Sequence, residues 1–403
     1  MPVDMSSPPV MPLSNALPGL LAQADRLRDI RRDIHAHPEL CFQEVRTSEL
    51  VADALTRWGV EVHRGLGQTG VVGVIEGRPG HRAIALRADM DALPMTERNT
   101  FAHASKHPGR MHACGHDGHT AMLLAAAQHL AGERDFDGKV VLVFQPAEEG
   151  GGGAAAMIRD GLFERFPVDA IFGMHNWPGM PAGTFAIKDG PCFASSNEFK
   201  IVLRGKGCHG AMPHLTVDPV VVCASIIMAL QTIVSRNVSP QDMSVITVGS
   251  INAGKASNVI PDSAQMLISV RALNNTVRDR LERQIKQLIH AQAQAFGATA
   301  EIHYSADYPL LINDAEMTRF ASQVATDWLG EGEVLNDIVP FNGSEDFAYF
   351  LQKCPGCYLI IGNGDGEKSC MAHDPRYDFN DDILMRGAGF WVKLTEAFLP
   401  LNP

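Results

Sequence analysis

The sequence predicts an α/β protein: a mixed, mostly parallel sheet flanked by helices, interrupted by a smaller α+β domain. Three observations carry this expectation. Short apolar runs alternate with helical periodicity towards both ends of the 403-residue chain, as strands joined by helical crossovers do. A middle stretch of about 115 residues has a different order, βαββαβ. The length also exceeds what a single domain usually takes.

Residues 1–19 contain five prolines and read as a loose leader. Helices are expected over 20–34 and 44–58, where Leu50, Val51, Ala54, Leu55 and Trp58 recur at helical spacing. Buried strands follow at 71–75, 83–87, 140–144 and 170–174, with helices over 120–130 and 154–160 between them. From residue 192 the pattern gives a strand over 198–204, a helix over 219–234 and strands over 244–251 and 265–272. Val277, Leu281, Ile285, Leu288 and Gln292 then mark a long helix, and 300–304 a last strand. That order is the split-βαβ, ferredoxin-like unit, four strands with two helices on one face. The α/β alternation resumes after about residue 309. The expected domains are therefore 1–191 with 309–403, and 192–308 inserted between them.

Charged residues are 20% and apolar residues 45%, the balance of a soluble globular protein. The formal charge of −12 argues against a general binder of nucleic acid or anionic membrane. Residues 192–308 carry 10 Lys+Arg and 8 Asp+Glu, so the acidic excess lies entirely in the rest of the chain. No run reaches the roughly 18 consecutive apolar residues of a membrane span. The N-terminus lacks the charged and apolar regions of a signal peptide, so a cytoplasmic location is the default expectation. Eight cysteines are too sparse for a disulfide scaffold. Cys354-Pro-Gly-Cys357 has redox spacing, but Tyr358 onward reads as a strand, and the pair reads as the turn leading into it.

Five of the 16 histidines (His103, His107, His112, His116 and His119) fall within 17 residues. Around them lie polar clusters that each end a strand or open a helix: Arg87–Pro94, Met111–His119, Gln145–Glu149 and Gly173–His175. Ligands of α/β sheets bind beyond the carboxyl ends of strands, so these clusters should converge on one crevice. A further cluster, Ala372–Pro375, lies near the C-terminus. Taken singly, each has a plain alternative: a surface histidine, a small buried cysteine at 114 or a turn capped by Asp89 and Asp91. Jointly, Cys, His and carboxylate supply donors for a borderline divalent metal such as zinc. The pair Glu148-Glu149 is the most informative. In extended backbone, neighbouring side chains point opposite ways, so one carboxylate can ligate a metal while the other faces the water to be activated.

The motifs HxHPELxFxE (His35–Glu44), RADMDALP, MHACGHDGHTAMLL, QPAEEG, GxHGAMPH (Gly207–His214), NVIP (Asn258–Pro261), GSEDFAYF (Gly343–Phe350) and HxPxYDFND (His373–Asp381) resemble the aminoacylase/carboxypeptidase family of dinuclear metal amidohydrolases. Within it they are most similar to the branch of hippurate hydrolase and the plant indole-acetyl-amino-acid hydrolases. The resemblance runs from about residue 25 to 395. It implies a catalytic domain with an inserted lid domain, through which relatives form dimers or dimers of dimers. Carried over by motif, Cys114, His116, Glu149, His175 and His373 hold two divalent ions per subunit, Zn, Mn, Co or Ni. Glu148 is the general base, Asp91 orients a ligand, and His209 assists the oxyanion, in relatives often from the partner subunit. Asn258 and Arg271 bind the polar end of the substrate.

The implied reaction is hydrolysis of the amide of a small-molecule N-acyl amino acid. The nearest alternative is a dipeptidase or carboxypeptidase using the same metals. From other classes come a thiol hydrolase with Cys114 as nucleophile, and a non-catalytic binder of amino-acid conjugates.

Overall fold

A computed structural model describes residues 17–366 and 370–401. Of the leader expected over 1–19, residues 1–16 lie outside the described residues. Pro18 opens a one-turn helix, Pro18–Leu21, at a position where its missing amide has no partner to lose. The chain divides into two compact units. One takes in the chain up to Gly190, Asn313–Val339 and the chain from Tyr349 onward; the other is Pro191–Ile312 with Pro340–Ala348.

The first unit is built on an eight-stranded mixed sheet. Its order is Glu61–Leu66, Gly70–Glu76, Asp137–Gln145, Arg78–Asp89, Ala170–Pro178, Gly356–Gly364, Phe185–Ala186, Val334–Leu335. The four strands from Asp137–Gln145 to Gly356–Gly364 are mutually parallel, while the first two join antiparallel. Helices cover the parallel strands on both faces, so these strands are apolar without alternation: Val140 to Phe144 are all buried. The strand Glu61–Leu66 was not legible from the sequence. It carries His63, Arg64 and Gly65 at the sheet edge, and pairing with Gly70–Glu76 overrides its weak propensity.

The helix His116–Glu133 starts four residues before the apolar periodicity does. Fourteen of its eighteen residues are buried, including His116, Asp117 and His119, so it has no polar face to mark it. Two glycines allow it to sit so deep. Gly115 precedes it at φ +98°, where a Cβ would lie 2.2 Å from Asn176 Oδ1. At Gly118 a Cβ would lie 2.2 Å from the Phe379 ring.

Helix Ala24–Ala36 is tied to this core helix by charge. Arg31 and His35, one turn apart and both fully buried, face Asp117. Arg31 Nη1 donates to Asp378 at 2.8 Å and to Asp117 at 3.3 Å, and its Nε donates to Asp381 at 2.8 Å. His35 lies 2.9 Å from Asp117 Oδ2 and 3.3 Å from Glu97 Oε1. Burial alone favours a neutral His35 ring; the Asp117 and Glu97 carboxylates reverse that and raise its pKa to about 9.

The second unit has a four-stranded antiparallel sheet ordered Ser244–Ala253, Ser263–Ala272, Ser195–Arg204, Thr299–Tyr308. With helices Pro219–Asn237 and Asn275–Ala295 this is the expected βαββαβ topology. Phe199, Ile201 and Leu203 alternate into a core with Val222, Ile226 and Leu230 of one helix and Leu281, Ile285 and Ile289 of the other. Asp218 and Asn274 cap the two helices by accepting amides of their first turns. Helix Pro219–Asn237 is long and apolar enough by length and composition to cross a membrane; it is the one such helix among the described residues. A two-stranded ribbon pairs Cys208–His209 with Val259–Ile260.

Two outcomes follow. Gly118→Ala must displace Phe379 or the helix, and a loss of about 1–3 kcal/mol, typical of overpacking, is expected in denaturant unfolding. The His35 ion pair gives stability that is complete below pH 6.5, the ordinary histidine value, and is lost as pH rises through about 9. The stability difference between wild type and His35→Gln should therefore shrink between pH 6.5 and 9.5. A difference that stayed constant over that range would show that the ring is not charged in the folded protein.

Candidate active site

Parallel strands ending together bring the expected clusters to one edge of the first unit. Asp89 pairs with Gln145 at the ends of their strands. Arg87 pairs with Gly173, and Asp89 and His175 follow two residues later on each strand. His116 opens the core helix beside them, and His373 follows from a loop whose own amide donates to Ala113 O at 2.7 Å. His373 has φ +67°, a left-handed backbone uncommon for a residue with a Cβ and a frequent mark of functional positions.

Two three-donor groups share one thiol. Cys114, His116 and His175 present ligand atoms within 4.8 Å of one another, and so do Cys114, Glu149 and His373. Cys114 Sγ is 3.3 Å from His175 Nε2, and Glu149 Oε1 is 3.3 Å from His373 Nε2. The imidazoles are oriented from behind. His175 Nδ1 donates to Asn176 O at 2.6 Å, leaving its Nε2 lone pair towards Cys114. His116 Nδ1 is 3.2 Å from Asp91 Oδ1, leaving Nε2 inward. Carboxylate or carbonyl behind each ring is the usual support of a metal-binding histidine.

The donor set fits divalent cations. His116 Nε2 is buried without a hydrogen bond and faces Glu149 Oε1 at 4.0 Å and Asp89 Oδ2 at 3.6 Å, an arrangement that an ion between these groups would satisfy. Charge points the same way. Burial, and then the carboxylates of Glu149, Glu148 and Asp89, push the Cys114 thiol well above its ordinary pKa. Burial opposes charge on His116, but Asp89 and Asp91 overcome it and raise its pKa to about 10. The pocket thus holds positive charge readily and resists a free thiolate. That resistance counts against Cys114 as a nucleophile, since a nucleophilic cysteine needs surroundings that lower its pKa.

The strand Asp137–Gln145 ends before Glu148 and Glu149, which lie in a turn and not in the extended backbone expected for them. Ala147, at φ +54°, reverses the chain. Glu148 N then donates to Asp91 Oδ1 at 3.0 Å and Glu149 N to Asp91 Oδ2 at 2.9 Å. Asp91 therefore touches both the His116 ring and the turn that carries the two glutamates. Glu148 lies with Glu149 and His116 in a third close group. The turn, and not pleat alternation, sets the two carboxylates, whose oxygens lie within 4.8 Å of one another.

Three groups near the site were missed or left unassigned from the sequence. His119 Nδ1 lies 2.6 Å from Asp89 Oδ1, and Arg87 Nη1 donates to Asp89 Oδ2 at 2.7 Å, so a buried Asp89 has a partner at each oxygen. Cys41 Sγ lies 3.3 Å from Asp91 Oδ2 and 3.2 Å from Glu149 O, two acceptors for its single proton. Glu44 accepts from the amide of Ala147 at 2.9 Å. All belong to motifs visible in the sequence, but their partners lie on other segments. His103, placed in a polar loop, is 3.2 Å from Asp378 Oδ2 there. Cys354 and Cys357 are free thiols at the start of strand Gly356–Gly364.

The remaining candidates sit in the second unit. His209 is exposed on the ribbon, and its Nδ1 accepts the amide of Ala211 at 3.1 Å, which leaves the proton of a neutral ring on Nε2. Asn258, also exposed, accepts the Gly210 amide at its carbonyl, 2.7 Å away. Arg271 is half-buried on strand Ser263–Ala272, donates to Ser344 Oγ at 2.8 Å and makes no ion pair among the described residues.

Comparison with known proteins places the chain among hydrolases. The chain is 43% identical over 385 residues to hippurate hydrolase of Campylobacter jejuni, covering 96% of this chain and 100% of that one. It is 40% identical over 371 residues to thermostable carboxypeptidase 2 of Saccharolobus solfataricus, covering 90% and 93%. Among solved structures it matches the Bacillus subtilis YXEP protein, described as a dinuclear metal binding peptidase, with TM-score 0.81 and 34% identity over 94% of this chain and 99% of that one. Residues 85–397 match Peptidase family M20/M25/M40, and the chain belongs to that family.

Proposed function

We propose that this protein hydrolyses the amide bond of N-acyl amino acids, hippurate-like conjugates with an aromatic or aliphatic acyl group, releasing a carboxylic acid and a free amino acid. The observation that carries the reading is the pair of donor groups sharing Cys114, with Glu148 beside them on a turn fixed by Asp91. Full-length similarity to hippurate hydrolase supports the substrate class.

In this reading Cys114, His116, Glu149, His175 and His373 hold two divalent cations, with Zn, Mn, Co and Ni all compatible with the donor types. When bound, such cations make water more acidic and polarise a scissile carbonyl. Glu148 takes a proton from the attacking water and returns it to the leaving nitrogen. Asp91 keeps the His116 ring and the Glu148 turn in fixed relation. His209, with its proton on Nε2, donates to the oxyanion as it develops. Asn258 and Arg271 receive the free carboxylate of the amino acid; the guanidinium, whose hydrogen bond goes to the neutral Ser344 hydroxyl, suits that anion. The same reading takes the protein as a cytoplasmic dimer, or dimer of dimers, through residues 192–308, which form its lid. Exposed Val220, Val221 and Met228 on helix Pro219–Asn237 support such an association.

A second reading, a carboxypeptidase or dipeptidase on the same centre, is favoured by the similarity to thermostable carboxypeptidase 2. Rates on hippurate-like conjugates and on dipeptides, with enzyme reconstituted with each metal, decide between them.

Glu148→Gln should retain bound metal and lose on the order of 10²–10⁴ in kcat. Unchanged activity at unchanged metal content would remove Glu148 as the base. Chelation should abolish wild-type activity and added metal restore it, whereas a thiol hydrolase would survive the chelator. Mixing inactive His209→Ala and Glu148→Gln subunits should restore part of the activity if His209 serves the partner's site, and none if it serves its own.

A further inference from the structure

Glu44 closes the motif His35–Glu44, yet the mechanism above makes no use of it. It is fully buried and engages both oxygens. Oε1 accepts from Phe42 N at 3.0 Å and from Ala147 N at 2.9 Å; Oε2 accepts from Thr69 Oγ1 at 2.6 Å. With Asp91 taking the next two amides, three consecutive backbone N–H groups, at 147, 148 and 149, are held by two buried carboxylates from separate segments.

The consequences differ along the turn. Asp91 fixes the peptides on either side of Glu148 Cα. The peptide between Pro146 and Ala147 is left with two restraints: Gln145 Nε2 donates to its carbonyl at 3.2 Å, and Glu44 accepts from its amide. Ala147 is left-handed at φ +54°, a conformation disfavoured for a residue with a Cβ. Without an acceptor for its amide, that peptide can rotate and Ala147 can relax towards negative φ. Ala147 O still accepts from Gly153 N at 3.1 Å, and Glu148 is then aimed by the Asp91 contacts alone, without the left-handed residue before it.

We propose that Glu44 is a positioning residue for the reaction: by holding the Ala147 amide it keeps the turn left-handed and aims the Glu148 carboxylate. The proposal rests on Glu148 being the general base. Glu44 belongs to none of the candidate donor groups and acts through that aim. A group held in place by such a contact can lose about 10²-fold in rate on a displacement of about 1 Å. Gln can replace it, since its carbonyl oxygen accepts the two amides and its NH2 can donate to the Thr69 hydroxyl.

The test compares Glu44→Ala and Glu44→Gln, each in the wild-type and Glu148→Gln backgrounds. An N-benzoyl amino acid is the substrate, with kcat, KM, bound metal and Tm all measured. Glu44→Ala should lower kcat about 10²-fold with KM and bound metal unchanged, and Glu44→Gln should stay within a few-fold of wild type. In the Glu148→Gln background Glu44→Ala should cost little more, because the aimed group is already gone. An unchanged kcat in Glu44→Ala, a loss of kcat that follows loss of metal, or an equal fold-loss in both backgrounds overturns the proposal and leaves the base assignment standing. A fully active Glu148→Gln removes the base assignment, and this proposal with it, before any Glu44 variant is made. If Glu44→Ala does not fold, Glu44→Asp, whose carboxylate is withdrawn from Ala147 by one methylene, carries the same test.

Discussion

The carboxylate of Asp91 is the contact on which the rest of the centre depends. It accepts two consecutive amides of the glutamate-bearing turn and lies against the Nδ1 of His116. One buried group thus fixes a histidine on a helix and a turn after a strand in the same frame. Burial works against an ionised Asp91, and His116 together with the Glu149 amide overcomes it and holds its pKa below the usual carboxylate range. A buried charge with this many partners is costly to disturb, because removing any one of them leaves the others unpaired.

Around Asp91 the first unit concentrates ionisable groups where a folded protein seldom keeps them. Asp89, Asp117, His116, His119 and Arg31 are essentially inaccessible to water. They are tolerated because each acidic group meets partners: Asp89 with the Arg87 guanidinium and the His119 ring, Asp117 with His35 and Arg31. The −12 charge of the sequence therefore has an interior component that is locally balanced, apart from the carboxylates around Cys114. That local excess is what makes the pocket receptive to cations.

Much of this was legible in the sequence, and the failures have physical causes. The parallel strands showed because burial on both faces makes them continuously apolar, as at Val140–Phe144. The βαββαβ order showed because one-sided burial preserves alternation, as at Phe199, Ile201 and Leu203. The start of helix His116–Glu133 did not show, since polar residues buried against partners elsewhere imitate a loop. The edge strand Glu61–Leu66 was silent for the opposite reason, being too exposed to need apolar side chains. At the site, motif spacing named donors that the fold brings together, but it gave the wrong local backbone for Glu148-Glu149. A left-handed alanine leaves no mark in composition, and the acceptors that stabilise it come from residues 44 and 91, far away in sequence.

The depth of helix His116–Glu133 bears on how such a protein can change over generations. Its donor-bearing first turn is locked by glycine contacts that admit no Cβ, so almost any alteration there is felt by the whole core. His209 and Asn258 lie on an exposed ribbon, where replacement ordinarily shifts stability by no more than about 0.5 kcal/mol. In terms of folding, heritable variation can therefore accumulate on the ribbon while the first turn of the helix stays fixed. A lineage built on this chain can change the ribbon without first putting its fold at risk.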